Sequence, residues 1–128
     1  MIKKREQYYK CLFLIAALYD FILGIAFLFF YKPLFALFNI VLPENPAYLS
    51  LSAAFVFVIG IGYYFIYKDV YSNRDLAKLG TIYKLAYAVI VFYYFFLGLV
   101  PHVIFTALGV TDLIFMFLFI EFLNYTKK

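Results

Sequence analysis

Four stretches of this 128-residue chain are apolar over about 20 residues each, the length that an α-helix needs to cross the hydrocarbon core of a bilayer. They are residues 9–31, 47–67, 76–97 and 101–123. At a rise of about 1.5 Å per residue, each would measure about 30 Å as a helix. The connections are too short for a soluble domain, so the sequence predicts a single integral membrane domain over residues 1–128.

The composition excludes a water-soluble protein. Hydrophobic residues make up 68% of the chain and charged residues 14%, against roughly 25% charged residues in a typical soluble domain. The one cysteine, Cys11, has no partner within the chain for a disulfide and cannot form a multi-cysteine metal site. No metal or cofactor is expected from the sequence.

The distribution of basic residues predicts the orientation in the membrane. Loops on the cytoplasmic side are enriched in lysine and arginine. Here basic residues gather at both termini and in the connection between the second and third spans, while the two opposite connections hold one between them, Lys32. The sequence therefore predicts an all-α four-helix transmembrane bundle, up-down-up-down, in the bacterial inner membrane, with both termini cytoplasmic. Nucleic acid is not an expected partner, because the positive charge follows the span ends.

The two outer connections differ from each other. Residues 98–101 are so few that the third and fourth spans are expected to form an antiparallel hairpin, with Pro101 at a helix start. Residues 32–46 are too apolar for a solvated loop and too few to span. We expect a short interfacial or re-entrant element between Pro33 and Pro43, lying across the outer mouth of the bundle.

Three ionisable residues lie well inside the predicted spans, more than one helical turn from either end. Asp20 and Asp112 fall near the middle of the first and fourth spans, and Lys84 lies within the third. A charge at the bilayer centre costs roughly 2.5–3.5 kcal/mol even on a lenient insertion scale. Both carboxylates are therefore expected to face the protein interior, with Lys84 or a tyrosine such as Tyr64 or Tyr87 within hydrogen-bond reach of at least one of them.

Helical spacing predicts an inward face on each span, made of small, polar and ionisable residues at steps of three or four. The expected faces are Ala16, Asp20 and Gly24; Ala53, Phe57, Gly60, Tyr64 and Tyr67; Lys84, Tyr87, Val91 and Tyr94; and His102, Thr106, Gly109, Asp112 and Met116. Small residues on such a face let a neighbouring helix approach closely.

Two interpretations of the buried charges remain open. A buried ion pair with tyrosine hydrogen bonds can simply fix helix register. The same residues, Asp20, Lys84, Asp112, Tyr64 and Tyr87, can instead form a ligand-binding or proton-binding site. The long side chain of Lys84 also allows it to extend towards the membrane surface.

The stretch Asn73-Arg-Asp-Leu-Ala-Lys-Leu-Gly-Thr-Ile-Tyr-Lys-Leu85, together with an aspartate in the first span and another in the last, resembles small uncharacterised four-helix bacterial membrane proteins of the DoxX-like kind. This resemblance implies a four-helix membrane fold. It implies no activity and no site residues.

The sequence supports three functional hypotheses. The first is a non-enzymatic membrane protein that binds an apolar or lipid-like ligand, or serves as an accessory subunit of a larger membrane complex. The second is a proton-coupled carrier or channel subunit that uses Asp20, Asp112 and Lys84 and works as a homo-oligomer. The third is a membrane-embedded enzyme acting on a lipid or quinone, although no nucleophile, metal or dinucleotide motif is present.

Overall fold

The computed structural model describes residues 4–99 and 103–126, and every regular element in those ranges is a helix. There are five of them: α1 (Lys4–Phe29), α2 (Tyr31–Leu37), α3 (Ala47–Lys68), α4 (Arg74–Phe96) and α5 (Val103–Tyr125). Helices α1, α3, α4 and α5 are each long and apolar enough to cross a membrane. The predicted fold class, an all-α chain with four membrane-length helices, is confirmed.

The helix ends differ from the predicted spans by a few residues. α3 begins at the predicted residue, whereas α1 begins at Lys4, five residues before the expected start at residue 9. The reason is that an apolar window marks the hydrocarbon-crossing part of a helix, and a helix can continue through a charged turn outside it. The predicted start of the fourth span at Pro101, and His102 beside it, lie outside the described residues.

The chain divides into two compact units, Met1–Val70 (unit 1) and Tyr71–Lys128 (unit 2). Unit 1 consists of α1, α2 and α3, with α1 and α3 packed against each other. The packing is antiparallel: the ammonium of Lys10 lies 5.4 Å from the centre of the Tyr67 ring, while Gly24 near the other end of α1 contacts Phe57.

Two glycines bring α1 and α3 close together. A Cβ atom on Gly24 would lie 2.9 Å from the Cβ of Phe57 and 3.1 Å from the carbonyl oxygen of Ala53. A Cβ atom on Gly60 would lie 3.2 Å from the carbonyl oxygen of Ala17. An added methyl group would therefore press against the neighbouring helix at both positions, and more tightly at Gly24 than at Gly60.

A short helix, α2, lies in the connection for which the sequence predicted an extra element between Pro33 and Pro43, but it begins two residues before Pro33 and ends six residues before Pro43. Its Phe35 is buried, and the ring centre lies 6.3 Å from that of Phe27 on α1. The helix ends in a Schellman motif in which Asn39, with φ of 56°, donates to the carbonyl of Ala36, and Ile40 donates to that of Phe35. This motif satisfies carbonyl groups that the end of a helix otherwise leaves open.

Unit 2 is an antiparallel pair made of α4 and α5, as the short connection predicted. Arg74 at the start of α4 donates to the carbonyl of Leu123 near the end of α5. At the other end α4 closes with a second Schellman motif, in which Gly98 has φ of +73° and donates to Phe95, and Leu99 donates to Tyr94.

Large apolar side chains cover the exposed surface of each long helix, whereas the buried faces hold the small and ionisable residues together with large aromatic ones such as Phe13, Tyr63 and Phe119. On each long helix the exposed residues repeat at steps of three and four, which defines one stripe along the helix. We call these the outward stripes: Ile15, Leu18, Ile22, Ile25 and Phe29 on α1; Tyr48, Leu51, Phe55, Val58 and Phe65 on α3; Leu79, Ile82, Val89, Tyr93 and Phe96 on α4; Val103, Val110, Ile114 and Phe117 on α5. This pattern is the reverse of a soluble protein and is that of a multi-pass membrane protein.

Candidate functional site

A buried ion pair lies at the middle of unit 2. Lys84 is the eleventh of the 23 residues of α4, and Asp112 is the tenth of the 23 residues of α5. The Lys84 ammonium donates a hydrogen bond of 3.0 Å to Oδ1 of Asp112. Lys84 is 1% exposed and Asp112 5% exposed. Each lies about 15 Å from the start of its helix, which is half the thickness of a bilayer core.

Aromatic rings surround the ammonium of Lys84. Its Nζ lies 5.2 Å from the centre of the Phe115 ring on α5 and 5.8 Å from that of Tyr83 on α4. Both distances are within the range of cation–π attraction. The Lys84 side chain is therefore held in the interior by a carboxylate and by ring faces, and it does not extend to the membrane surface.

Tyr87, one of the two predicted tyrosines, lies near this pair in unit 2. It is half-buried, one turn after Lys84, and it lies within electrostatic range of the Asp112 carboxylate. Its phenol group can donate or accept a hydrogen bond, unlike the apolar residues around it.

Close helix packing supports the geometry of the pair. A Cβ atom on Gly109, one turn before Asp112, would lie 3.2 Å from a methyl carbon of Val91. Because the glycine lets α5 approach α4, a lysine on one helix and an aspartate on the other come within hydrogen-bond distance. Chemically, the arrangement fixes the register of the two helices, and it holds a carboxylate with a charged donor away from water.

Asp20 lies in unit 1. It is 1% exposed, on the face of α1 that packs against α3, and its Cβ lies 3.3 Å from the position that a Cβ on Gly60 would take. The other two members of its predicted face, Ala16 and Gly24, are also buried. Asp20 therefore faces the interior of unit 1, as expected, and Gly60 provides the space beside it.

Tyr64 does not lie on the buried face of α3. Its side chain is 41% exposed, whereas the preceding residue, Tyr63, is 1% exposed. The buried residues after Gly60 follow as Tyr63 and Ile66, steps of three, where the sequence analysis took a step of four. Both steps are compatible with a helical repeat of 3.6 residues, so spacing alone does not choose between two adjacent tyrosines.

Sequence reasoning missed a second polar contact in unit 2. Arg74 donates from Nε to the hydroxyl of Thr126 at 2.9 Å and from Nη2 to the carbonyl of Leu123 at 2.8 Å. The Thr126 hydroxyl in turn donates to the carbonyl of Phe122. We call this arrangement the Arg74 clamp. A basic residue at a helix C-terminus complements both the open carbonyls and the helix dipole. The signal in the sequence was an arginine facing the end of the fourth span across a predicted hairpin.

Within residues 4–99 and 103–126, no three histidine, cysteine, aspartate or glutamate side chains are grouped as a metal site requires. No family model, curated protein or solved structure matches this chain. The resemblance to DoxX-like proteins stays a prediction. The function of this chain is therefore inferred from the geometry of units 1 and 2.

Proposed function

We propose that this chain is a non-enzymatic protein of the cell membrane that binds a lipid-like molecule against its helix faces. The observation that supports this best is the set of outward stripes, which present large apolar side chains along four helices of membrane length. Aromatic rings on these stripes, such as Phe55, Tyr93 and Phe96, offer flat surfaces to acyl chains or to rings of a ligand.

The proposed orientation places both termini in the cytoplasm, following the distribution of lysine and arginine. Fusion of an enzyme reporter that works only in the cytoplasm to either terminus should give activity. Fusion of the same reporter to the connection around Glu44, on the opposite side, should give none. Reporter activity at Glu44 together with no activity at either terminus would show that the orientation is the opposite of the proposed one.

The proposed binding is tested by gentle purification from native membranes followed by mass spectrometry of the intact protein. We expect the chain to retain lipid-like molecules in stoichiometric amounts. Retention of another membrane protein instead would favour a role as an accessory subunit. A protein that emerges free of both would contradict the proposal.

The buried Lys84–Asp112 pair favours a second candidate function, a proton-coupled carrier or channel subunit. Carboxylates inside membrane helices commonly belong to proton pathways, and a carboxylate with one charged partner can exchange a proton during a transport cycle. In liposomes, Asp112→Asn should reduce a proton-linked flux, and Asp20→Asn provides an independent test in unit 1. Unchanged flux in both variants, with the helical fold intact, would exclude the carrier.

A further inference from the structure

Two lysines and two tyrosines form a continuous group at one end of unit 1. The end concerned holds the start of α1 and the end of α3, because the two helices are antiparallel. The Lys10 ammonium lies 5.4 Å from the centre of the Tyr67 ring, that ring lies 5.9 Å from the Tyr64 ring, and the Lys68 ammonium lies 6.0 Å from the Tyr64 ring. We call these four residues the Lys–Tyr cluster.

The cluster joins both helices of unit 1, since Lys10 comes from α1 and the other three residues come from α3. Cation–π contact holds each ammonium beside a ring without neutralising its charge. Tyr64 and Lys68 are exposed. The two ammonium groups therefore stand on either side of a pair of phenols that a ligand outside the helices can reach.

The position of the cluster along the helices corresponds to the headgroup region of a membrane. α3 has 22 residues, so it is about 33 Å long, close to the thickness of the hydrocarbon core. Lys68 is its last residue, and Tyr64 and Tyr67 lie in its last turns. Tyrosine and lysine are the residues that favour this depth, where one part of the side chain is apolar and the other meets water or headgroups.

The charge at this end of unit 1 is positive. Among the residues that the structure describes, four basic ones belong to it, Lys4, Arg5, Lys10 and Lys68, against two acidic ones, Glu6 and Asp69. The connection at the other end carries one of each, Lys32 and Glu44. Anionic headgroups are attracted by such a basic group, and the phosphate oxygens accept hydrogen bonds from ammonium and phenol donors.

We propose that the Lys–Tyr cluster is a binding site for the headgroup of an anionic phospholipid. The inference rests on the proposed lipid-binding function and adds the class of lipid and the residues that select it. The ammonium groups of Lys10 and Lys68 contact the phosphate, the tyrosine hydroxyls add hydrogen bonds, and the acyl chains lie along the apolar surface of α3, whose stripe ends at Phe65.

The test uses the full chain in vesicles of equal parts phosphatidylglycerol and phosphatidylcholine. After extraction in mild detergent, intact-protein mass spectrometry measures the ratio of anionic to zwitterionic lipid that stays bound. The wild-type protein should prefer phosphatidylglycerol several-fold. Lys10→Gln and Lys68→Gln should each reduce that preference by up to about five-fold, the factor that corresponds to about 1 kcal/mol per basic residue at an anionic surface.

Lys32→Gln is the matched control, because it removes the same charge from the other connection of unit 1 and should leave the preference unchanged. Thermal unfolding in detergent verifies that every variant is folded. Preference equal to wild type in both Lys10→Gln and Lys68→Gln, or an equal loss in Lys32→Gln, would overturn the headgroup site. Lipid retained with no preference in the wild-type protein would also overturn it and leave the proposed function intact, whereas no retained lipid would contradict both.

Discussion

Units 1 and 2 each pair two long helices antiparallel, bury an aspartate within the pair and bring the helices close together at a glycine, and the contacts of unit 2 include a buried ion pair between its helices. In unit 1 the helices meet through glycines, with Gly60 providing the space beside Asp20. In unit 2 the Lys84–Asp112 ion pair joins the helices near their middle, and the Arg74 clamp joins them at one end. The comparison teaches that membrane helices can associate through backbone proximity or through buried charge, and that the two kinds of contact respond differently to substitution.

The largest effect is expected where unit 2 loses its buried cation. Lys84→Met should lower the free energy of unfolding by about 3–5 kcal/mol, because it leaves Asp112 buried without the ammonium at 3.0 Å. The double variant Lys84→Met, Asp112→Asn should recover more than half of that loss, because the buried charge is removed as well. Unfolding in mixed detergent micelles measures both. Additive losses in the double variant would show that the two residues do not stabilise each other.

The next effect concerns the close approach of α1 and α3 in unit 1. Gly24→Ala should lower the free energy of unfolding by about 1–3 kcal/mol, because the added methyl group would lie 2.9 Å from the Cβ of Phe57. Gly62→Ala is the control on the partner helix, since a Cβ there meets nothing within 4 Å. It should be neutral or stabilise the helix by up to about 1 kcal/mol. Equal changes in the free energy of unfolding at both positions would show that the close approach of Phe57 does not explain the glycine at position 24.

The Arg74 clamp should contribute less than the buried pair, because it is only partly buried. Arg74→Gln should lower the free energy of unfolding by about 1 kcal/mol through the loss of charge-assisted hydrogen bonds to Leu123 and Thr126. Lys78→Gln provides the comparison, since Lys78 makes an exposed ion pair with Asp75 at 3.6 Å and should contribute about 0–0.5 kcal/mol. Amide hydrogen exchange near Leu123 should become faster in the Arg74 variant alone. Unchanged exchange in that variant would show that the Arg74 clamp does not stabilise the end of α5.

The smallest effects concern the two Schellman motifs, one in each unit. Asn39→Gly should stabilise unit 1 by a few tenths of a kcal/mol, because φ of 56° is easier for glycine. Gly98→Ala should destabilise unit 2 by about 1 kcal/mol, since its φ is +73°. Thermal unfolding would record the opposite signs. Two shifts of the same sign would show that backbone conformation at these positions does not control stability.

Segment length and hydropathy were sufficient to predict the four long helices and the additional element between the first two. The inward positions of Asp20 and Asp112 also followed from the high free-energy cost of a charge in hydrocarbon, whereas the sequence left open whether Lys84 turns inward or extends to the membrane surface. These features depend on large free energies, the transfer of apolar segments into the bilayer and the cost of a charge in hydrocarbon, which affect every possible packing of the helices.

Finer features depended on small differences that the sequence does not display. Tyr63 and Tyr64 are chemically identical neighbours about 100° apart around the helix, so the rotation of α3 about its own axis decided which one became buried. The Arg74 clamp depends on the register between α4 and α5, which the close contact of Gly109 with Val91 helps to set. The Lys–Tyr cluster likewise requires the antiparallel register of α1 and α3, which becomes visible only with coordinates.

The most direct test of the central claim, that the outward stripes face lipid while the buried faces of the same helices face the protein, is a spin-label scan along α3 in a Cys11→Ser background. Collision with oxygen, which concentrates in hydrocarbon, should peak at Leu51, Phe55 and Val58 and fall to minima at Ala53 and Gly60. We expect the oxygen collision rate to alternate with the helical repeat, and a water-soluble relaxation reagent to have little access to the middle of α3. Maxima at Ala53 and Gly60, or free access of the water-soluble reagent along the whole helix, would contradict it.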